Sequence, residues 1–452
     1  MKIFFSGIGG SGVSAIAGFM AERGHTVSGS DRLFDRYPEH PVCLGLKAQG
    51  ITIAPQDGTG VDRSFDFAVF STAVERNNPD FGKAEEAGIP VKTRPEYLAE
   101  MVRGYKTVAV AGTSGKSTTS GLLAFLMERL GMEPNFIGGG RVKQFRTWRN
   151  SGNYLSGKSR VLVMEACESD GSIVNYLPEH TLVLNLDLDH HSVVETAGMF
   201  RILSKNTSGL VITGGDDENL AACNIEDAIQ FSIDRNSRYQ ATDIEYHPLK
   251  SSFMVNGTKF EVALPGRHNL YNALACIAFL SEMGVAGEKI SEALREFSGI
   301  ERRFDIHLNE GGYLVVDDYA HNPHKIASLM ATMKGISRRV CYVFQPHGYG
   351  PVRLMKEEYI ATFSSSLRET DLLILLPIYY AGGTASKGVS SKDIAGAVRA
   401  SGKNAEAVEH RYDVVNMPKI WESYVVFGAR DDSLSDFAAD IAANLRNQLT
   451  IK

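Results

Sequence analysis

A Gly-Lys-Ser triplet inside the segment Val108–Ser120, VAVAGTSGKSTTS, has the residue types and the setting of a phosphate-binding loop. In loops of the G-x-x-x-x-G-K-[ST] pattern, backbone N–H groups surround phosphate oxygens and the lysine reaches the outer phosphates. Val110 stands where that pattern has its first glycine, and Gly112 comes two residues later. The segment predicts a nucleoside triphosphate site in which Lys116 contacts the β- and γ-phosphates and the Ser117 hydroxyl ligates Mg²⁺. An ordinary turn at the start of a helix is the alternative interpretation.

A second glycine-rich loop follows the N-terminal apolar run. The segment Phe4–Met20 contains G-x-G-x-x-G, and an aspartate follows the last of these glycines by 19 residues. This spacing provides a tight turn, a backbone open to a pyrophosphate and a helix N-terminus directed at it. It predicts a diphosphate site but leaves open whether the diphosphate belongs to NAD or to a UDP-sugar. The residues assigned to the site are Gly7, Gly9, Gly10, Ser11, Gly12 and Asp31.

Polar clusters follow the apolar runs at Val161–Met164 and Thr181–Leu184. Because Mg²⁺ takes oxygen ligands and keeps several waters, one carboxylate beside ATP phosphates is sufficient to hold it. Glu165, at the end of the first run, is the leading candidate. His190, in the second cluster, could occupy one position as a neutral imidazole. The acidic neighbours of His190 are equally compatible with a solvated loop.

A third polar cluster lies in the C-terminal part of the chain. The sequence RRF (Arg302–Phe304) precedes a predicted strand, and DDYAHNP (Asp317–Pro323) follows it. An arginine at a domain seam can stabilise the charge that develops on a transferring γ-phosphoryl group. Asp318 could hold a ribose, and Tyr319 or His321 could position a nucleotide.

These clusters share a position, because each lies beside a predicted strand and most follow one directly. Apolar runs that alternate with amphipathic stretches are typical of βα units with parallel strands. Open sheets of this kind bind ligands just outside the carboxyl ends of their strands, so we expect the chemistry at that edge. The predicted strands are Lys2–Ser6, Phe65–Ser71, Thr107–Ala111, Val161–Met164, Thr181–Leu184, Tyr313–Val316, Val340–Phe344, Leu372–Leu376 and Tyr424–Phe427.

Length and two seams predict three α/β domains. A chain of 452 residues is too long for one ordinary hydrophobic core. One seam is expected at Arg103-Gly104, before the strand that leads to Lys116. The other is expected at Ser298-Gly299, after a helix-like run from Asn269 to Phe297. The predicted domains are therefore residues 1–104, 105–298 and 299–452.

Composition excludes several classes of protein. A net charge of −6 gives no reason to expect nucleic acid as a partner. The five cysteines are scattered without a C-x-x-C pair, which is typical of reduced thiols in a cytosolic protein. Residues 3–21 carry no charge, but four glycines between Gly7 and Gly12 interrupt that apolar run. We therefore expect neither export nor membrane insertion.

Taken together and in this order, the motifs resemble those of the Mur ligase family, and within it those of the alanine-adding ligases. The resemblance covers essentially the whole chain. GTSGKST matches the shortened phosphate loop of that family, which has no glycine at the Val110 position. The matching segments are GIGGSGVSAIA (Gly7–Ala17), VSGSD (Val27–Asp31), FSTAV (Phe70–Val74), GTSGKST (Gly112–Thr118), ESD (Glu168–Asp170), DLDHH (Asp187–His191), GRHNLYNALA (Gly266–Ala275), GIERRF (Gly299–Phe304), DDYAHNP (Asp317–Pro323) and FQPH (Phe344–His347).

The resemblance implies an α/β protein of three domains. These are an N-terminal Rossmann-like domain for a UDP-sugar, a central P-loop-type ATPase with a mixed or parallel sheet, and a C-terminal Rossmann-like domain for an amino acid. It implies an ATP-dependent, ADP-forming amide ligase of peptidoglycan precursor synthesis that uses ATP and Mg²⁺ in the cytoplasm. The partners implied are a UDP-N-acetylmuramate-type substrate and a free amino acid, L-alanine by default, with the protein a monomer or a homodimer.

Residue roles carried over from the family follow the matching motifs. Lys116→Ala is expected to abolish turnover with little effect on the fold. Catalytic roles fall to Lys116, Glu165, His190 and Arg303, and metal ligation falls to Ser117, Glu165 and His190. ATP contacts are expected from Gly112, Thr113, Ser114, Gly115, Lys116, Ser117, Thr118, His268, Asn269, Asn272, Arg302, Arg303, Asp318, Tyr319 and His321. Ser71 and Thr72 join the UDP-sugar residues named above, and His347 and Tyr349 lie on the amino-acid side.

Departures from the family pattern fall mostly in the third domain. The family continues FQPH as H-R-Y-x-R, whereas this chain has His347-Gly-Tyr-Gly-Pro, and Arg430 replaces a glycine of G-A-G-D. An aspartate expected in the central domain is Cys167. The acceptor therefore stays open, and a paralogous ligase for another amino acid or a peptide is the alternative. An NAD-dependent oxidoreductase is supported only by the first glycine loop and Asp31.

Overall fold

The computed structural model describes residues 1–189, 191–380 and 388–450. The chain divides into two compact units, Met1–Ser298 and Gly299–Lys452. Among the described residues, no helix has both the length and the apolarity that a bilayer crossing requires.

A five-stranded parallel sheet begins the first unit, with strand order β3-β2-β1-β4-β5. Its strands are β1 (Lys2–Ser6), β2 (Thr26–Ser30), β3 (Thr52–Ala54), β4 (Phe67–Phe70) and β5 (Val91–Thr93). Its helices are α1 (Ser11–Glu22), α2 (Arg32–Arg36), α3 (Pro41–Ala48), α4 (Pro79–Ala87) and α5 (Arg94–Gly104). The order reverses between β1 and β4, so a crevice for ligands is expected at the carboxyl ends of these two strands.

Side-chain alternation explains why β1 lies at the centre of this sheet. Ile3 and Phe5 belong to one buried hydrophobic cluster, and Phe4 belongs to another on the opposite face. A strand covered on both faces has a continuous apolar run, as Ile3–Phe5 provide within KIFFS. The cluster around Ile3 continues to Ala109 and Tyr154, so residues 1–104 share a hydrophobic core with the residues that follow.

The second sheet of the first unit has eight strands in the order β13-β12-β11-β10-β6-β9-β7-β8. All neighbours are parallel except β7 and β8, which makes the sheet mixed. Its strands are β6 (Lys106–Ala111), β7 (Asn135–Ile137), β8 (Tyr154–Leu155), β9 (Val161–Glu165), β10 (His180–Val183), β11 (Val211–Gly214), β12 (Ile229–Ser232) and β13 (Tyr239–Gln240). The helices α6 (Lys116–Arg129), α7 (Val193–Lys205), α8 (Glu218–Ala221), α9 (Arg267–Glu282) and α10 (Gly287–Arg295) accompany it.

A small antiparallel sheet completes this unit, made of β14 (Thr242–His247), β15 (Lys250–Val255) and β16 (Thr258–Val262). The helix-like run predicted from Asn269 to Phe297 is in fact two helices, α9 and α10. Gly284 lies between them at φ +82°, a left-handed conformation that ends an α-helix.

The second unit contains one six-stranded sheet in the order β17-β18-β22-β19-β20-β21, parallel except for β17 and β18. The strands are β17 (Asp305–Glu310), β18 (Tyr313–Asp318), β19 (Val340–Gln345), β20 (Leu372–Leu375), β21 (Ala405–Ala407) and β22 (Ser423–Gly428). The helices are α11 (Pro323–Lys334), α12 (Tyr349–Leu354), α13 (Lys356–Ser366), α14 (Ser391–Ala400), α15 (Arg411–Asn416) and α16 (Ser433–Thr450). All nine strands predicted from the sequence are confirmed, with ends that shift by at most two residues.

Candidate functional site

The loop Gly112–Gly115 connects the central strand β6 to the N-terminus of α6. Gly112 has φ +140° and Gly115 has φ +86°, conformations that residues with a side chain rarely adopt. A Cβ on Gly115 would also lie 2.4 Å from Asn272 Oδ1. Val110, by contrast, lies within β6 and is fully buried, so the turn begins only at Gly112. The loop is therefore shorter than the common pattern and needs no glycine at residue 110.

The segment after β10 holds this loop from one side. The Ser114 N–H donates to Asn185 Oδ1 at 2.8 Å, and Asn185 Nδ2 donates back to the Ser114 carbonyl at 3.0 Å. The Asp187 N–H donates to Thr113 Oγ1 at 2.9 Å. These bonds fix the backbone of the loop before any phosphate contact is considered. The sequence analysis did not assign Asn185, although its position directly after a strand beside β6 was a usable signal.

Lys116 is bound by the carboxylate of Glu168, from the segment after β9, the other strand beside β6. Its Nζ lies 2.9 and 3.1 Å from the two Glu168 carboxylate oxygens and donates to the Gly112 carbonyl at 2.6 Å. The side chains of Lys116 and Glu168 are only 13% and 3% exposed. Glu168 was missed as a partner of the lysine, although it lies in the ESD segment shortly after β9.

The predicted metal ligands Ser117 and Glu165 lie side by side. Ser117 Oγ donates to Glu165 Oε2 at 3.1 Å, and the Gly139 N–H donates to Glu165 Oε1 at 2.7 Å. A hydroxyl and a carboxylate are the hard oxygen donors that Mg²⁺ prefers, so this pair fits that ion. His190 lies outside the described residues. Within the described part of the chain, no three His, Cys, Asp or Glu side chains form a metal-binding group, so the fit depends on this pair.

The start of α9 contributes the residues assigned to the adenine side. Asn272 is buried beside Gly115, and Asn269 is buried and donates to the Pro265 carbonyl at 2.9 Å. His268 is exposed in the first turn of the helix. Thr118 is buried in the first turn of α6. The structure thus brings α9 against the phosphate loop, whereas the adenine contacts themselves stay a prediction.

The N-terminal glycine loop lies at the reversal point between β1 and β4. Gly7 has φ +78°, and a Cβ there would lie 2.7 Å from Ser71 Cβ. Gly10 precedes α1, and Ser11 and Gly12 form its first turn. Thr72 is exposed just beyond β4. The residues predicted for the diphosphate site are therefore brought together at one edge of the sheet.

Two carboxylates lie beside this loop. Asp31 contacts its backbone, and Asp80 contacts the end of β1 from which the loop leaves. Asp31 accepts hydrogen bonds from the Gly9 N–H at 2.8 Å and from the Leu33 N–H at 2.9 Å, where it caps α2. Asp80, which the sequence analysis did not single out, is fully buried and accepts from Ser6 Oγ at 2.7 Å. Asp31 therefore has a structural role as an N-cap, and its contact with a ribose stays a prediction.

In the second unit the adjacent arginines of RRF differ in environment. Arg302 is buried at φ +58°, with Nε 3.3 Å from Asp317 Oδ1 and Nη1 2.9 Å from the Ala429 carbonyl. Burial raises the pKa of Asp317 to about 7, against the lowering influence of Arg302. The Arg303 guanidinium lies over the Tyr319 ring, 4.9 Å from its centroid, and is partly exposed. Of the two, Arg303 is therefore the better placed for a ligand.

Asp318 and His321 lie at the carboxyl end of β18. The Asp318 carboxylate accepts from the Phe304 and Ala320 N–H groups at 2.8 and 2.7 Å. Burial, with smaller contributions from the cationic Lys325 and Arg430, lowers the pKa of His321 to about 4, although the hydrogen bond to the Tyr319 carbonyl at 2.9 Å opposes this shift. His321 is therefore neutral at pH 7.

His347 and Tyr349, the residues predicted for the amino-acid side, follow β19, which pairs with β22. The Arg430 N–H donates to His347 Nδ1 at 3.3 Å, and the His347 ring stacks on Tyr379. Burial, with a contribution from Arg430, lowers the pKa of His347, so its ring is a neutral acceptor. Tyr349 begins α12 and contacts the ring of Tyr380 edge-on.

Comparison with known families decides the relationship of the chain. Three models of the Mur ligase family match it: the Mur ligase catalytic domain at residues 2–106, the middle domain at 110–280 and the glutamate ligase domain at 302–429. The chain belongs to the Mur ligase family.

Named members of the Mur ligase family extend the match over almost the full length. A UDP-N-acetylmuramate–L-alanine ligase of Anaeromyxobacter dehalogenans is 35% identical, covering 89% of this chain and 88% of that protein. One of Psychrobacter cryohalolentis is 31% identical, covering 98% and 94%. The structure of a UDP-N-acetylmuramate–alanine ligase from Thermotoga maritima has a TM-score of 0.82 at 26% identity, with both chains covered completely. The predicted α/β fold class is thereby confirmed.

Proposed function

We propose that this Mur ligase joins L-alanine to the lactyl carboxylate of UDP-N-acetylmuramate at the expense of ATP, a step of peptidoglycan precursor synthesis. The observation that carries the proposal is the set around the loop Gly112–Gly115: Lys116, with Ser117 and Glu165 beside it, at the carboxyl edge of a sheet. The two relatives described above are named for that activity, and each matches this chain over most of its length.

The reaction has two steps that balance. A carboxylate is a poor acyl donor because its leaving group would be an oxide. Attack of the sugar carboxylate on the γ-phosphorus of ATP releases ADP and forms an acyl phosphate, whose leaving group is phosphate. The amine of the amino acid then attacks the acyl carbon and loses a proton, and the tetrahedral intermediate expels phosphate to leave an amide.

The residues of the central sheet suit the first step. Lys116 would neutralise charge on the outer phosphates, and the N–H groups of the loop and of the first turn of α6 would hold the rest of the triphosphate. Ser117 and Glu165 would hold Mg²⁺, which when bound offsets charge on the phosphate oxygens. Arg303 would stabilise the transferring phosphoryl group, and Asp318 would hold the ribose.

The glycine loop at residues 7–12 would hold the diphosphate of the UDP-sugar, which removes the need for a nicotinamide cofactor. His347 and Tyr349 would lie on the side of the amino acid. All five cysteines, each within the described residues, are free thiols, which together with the use of ATP supports a cytoplasmic reaction.

Phosphate release from ATP by the purified chain tests the proposal. With Mg²⁺, UDP-N-acetylmuramate and L-alanine, phosphate should appear. Omission of UDP-N-acetylmuramate or of L-alanine should abolish phosphate release. A panel of amino acids and short peptides in the same assay identifies the acceptor, so faster turnover with another compound would replace L-alanine. Oxidation of NADH without phosphate release would instead support an oxidoreductase.

A further inference from the structure

Arg94 lies between the two glycine loops of the first unit. It is the first residue of α5, directly after β5, so it lies at the same sheet edge as the loop at residues 7–12. A capping box between Thr93 and Glu96 fixes the backbone there: the Thr93 N–H donates to Glu96 Oε2 at 2.7 Å, and the Glu96 N–H donates to Thr93 Oγ1 at 3.4 Å.

The Arg94 side chain extends across Gly12, in the first turn of α1. A Cβ on Gly12 would lie 3.5 Å from Arg94 Cδ, 3.7 Å from Nη1 and 4.0 Å from Nε. The guanidinium therefore lies beside the start of α1. The G-x-G-x-x-G spacing predicts that a diphosphate binds to the backbone N–H groups there.

Asp170 holds one end of that guanidinium. Arg94 Nη2 donates to Asp170 Oδ2 at 2.9 Å, and both side chains are about one-fifth exposed. The other Asp170 oxygen accepts from the Ser172 N–H at 3.0 Å, which orients the carboxylate. Among the described residues, the Nε and Nη1 groups of Arg94 have no hydrogen-bond acceptor, so N–H donors of the guanidinium are available to phosphate oxygens.

Asp170 also belongs to the segment that holds the phosphate-loop lysine. Glu168, two residues earlier, pairs with Lys116, and its carbonyl accepts from the Gly171 N–H at 2.9 Å. Arg94 therefore lies between Gly12 and the segment Glu168–Asp170, and the same segment contacts Lys116 through Glu168.

We propose that Arg94 binds the diphosphate of the UDP-sugar and that Asp170 is the positioning residue that directs it there. This rests on the proposed function and adds a phosphate ligand that the glycine motif does not contain. The pair also links the loop that binds the sugar nucleotide to the segment that contacts Lys116.

Binding titrations with uridine, UMP, UDP and UDP-N-acetylmuramate on the full chain test this. Arg94→Gln should weaken binding of UDP and of the UDP-sugar by about tenfold to hundredfold, because charge-assisted bonds to phosphate are lost. Uridine should bind unchanged, and so should ATP. Arg94→Lys should restore part of the affinity, since it keeps the charge without the fork.

Asp170→Asn should weaken UDP binding less than Arg94→Gln does, and the double variant should be no weaker than Arg94→Gln alone. Non-additivity of this kind separates positioning through Arg94 from an independent effect of Asp170. The matched control is Lys92→Gln. It removes the ion pair between Lys92, on β5, and Glu100, on the helix that Arg94 begins, and it should leave every affinity unchanged.

Equal UDP affinity for the unchanged chain and Arg94→Gln would overturn the inference while leaving the proposed function intact. An equal loss for uridine and UDP would also overturn it, because only a general disturbance of the domain weakens both. Failure of the unchanged chain to bind UDP-N-acetylmuramate would contradict the proposed substrate itself.

Discussion

Lys116 has its donors occupied within the protein. An ammonium group has three N–H donors, and Lys116 contacts the Gly112 carbonyl and both oxygens of Glu168. A bond to a phosphate oxygen therefore requires that at least one of these contacts is exchanged. Glu168 is thus a residue that competes with the nucleotide for the same charge.

At this residue scale, the ion pair changes the effect on stability that is expected when the Lys116 ammonium is removed. Little effect on the fold was expected from the sequence for Lys116→Ala, and Lys116→Met removes the same charge. Turnover should fall by at least about hundredfold, as when one donor to a transition-state charge is removed. The variant should also lose about 3 kcal/mol of unfolding free energy, because the Glu168 carboxylate, 3% exposed, keeps no cation. Phosphate-release kinetics and denaturant unfolding measure the two effects. The small effect on the fold expected from the sequence would then be wrong.

The control for that variant is the pair Lys116→Met and Glu168→Gln together. It should regain most of the stability, since no buried charge is left alone, but none of the turnover. Recovery of turnover in the double variant would contradict the role of Lys116. Stability of Lys116→Met equal to that of the unchanged chain would contradict the importance of the ion pair.

At the scale of elements, the order of three neighbouring strands assembles the site. In the central sheet, β6 lies between β10 and β9. Their carboxyl ends carry the phosphate loop, Asn185 and the pair Glu165 and Glu168. Asn185 and the two glutamates lie some 50 to 75 residues after that loop along the chain. Because the strands are parallel, all three loops leave the sheet at the same edge.

The two ends of α6 offer a matched test of how tightly this edge is packed. Gly115 and Gly131 have φ values of +86° and +72°, but only Gly115 has a neighbour, Asn272, within reach of a Cβ. Gly131→Ala should cost about 1 kcal/mol of stability through backbone strain and leave ATP affinity unchanged. Gly115→Ala should cost more and weaken ATP binding at least about tenfold, since Asn272 or the loop must move. Calorimetry and denaturant unfolding check both, and equal ATP affinity for both variants would contradict the packing argument.

At the scale of the whole molecule, each compact unit has a hydrophobic core of its own. The described core cluster of the second unit runs from Leu308 to Leu445 without a residue from the first. Both glycine-rich phosphate loops lie in the first unit, whereas Arg303 and Asp318 lie in the second. The residues predicted to contact the nucleotide therefore come from both units, and the predicted phosphoryl-stabilising arginine comes from the second.

Separate expression of residues 1–298 and 299–452 tests this division. The second fragment should unfold cooperatively in denaturant, because its sheet and core are internal to it. The first should bind ATP but release no phosphate in the presence of both substrates, because the predicted phosphoryl-stabilising arginine is absent. Full turnover by residues 1–298 alone would contradict the role assigned to Arg303.

Local features were predictable because they depend on short segments. A strand followed by glycines, Lys116 and Ser117 predicts a tight turn between strand and helix, since the positive φ values of Gly112 and Gly115 are ones that glycine adopts readily. The predicted strands and the family membership were recovered for the same reason. The break at Gly284 was missed, although a glycine after a helical run is a common signal for a helix end.

By itself, the sequence determined that this protein has two glycine-rich loops, each between a strand and a helix of an α/β scaffold, and which family it belongs to. Only the tertiary structure decided that Lys116 pairs with Glu168, that Asn185 holds the loop and that Arg94 lies over Gly12. These contacts join segments that are distant along the chain. Strand order, set by the packing of the whole sheet and its helices, brings such segments together, and no local pattern of residue types specifies that order.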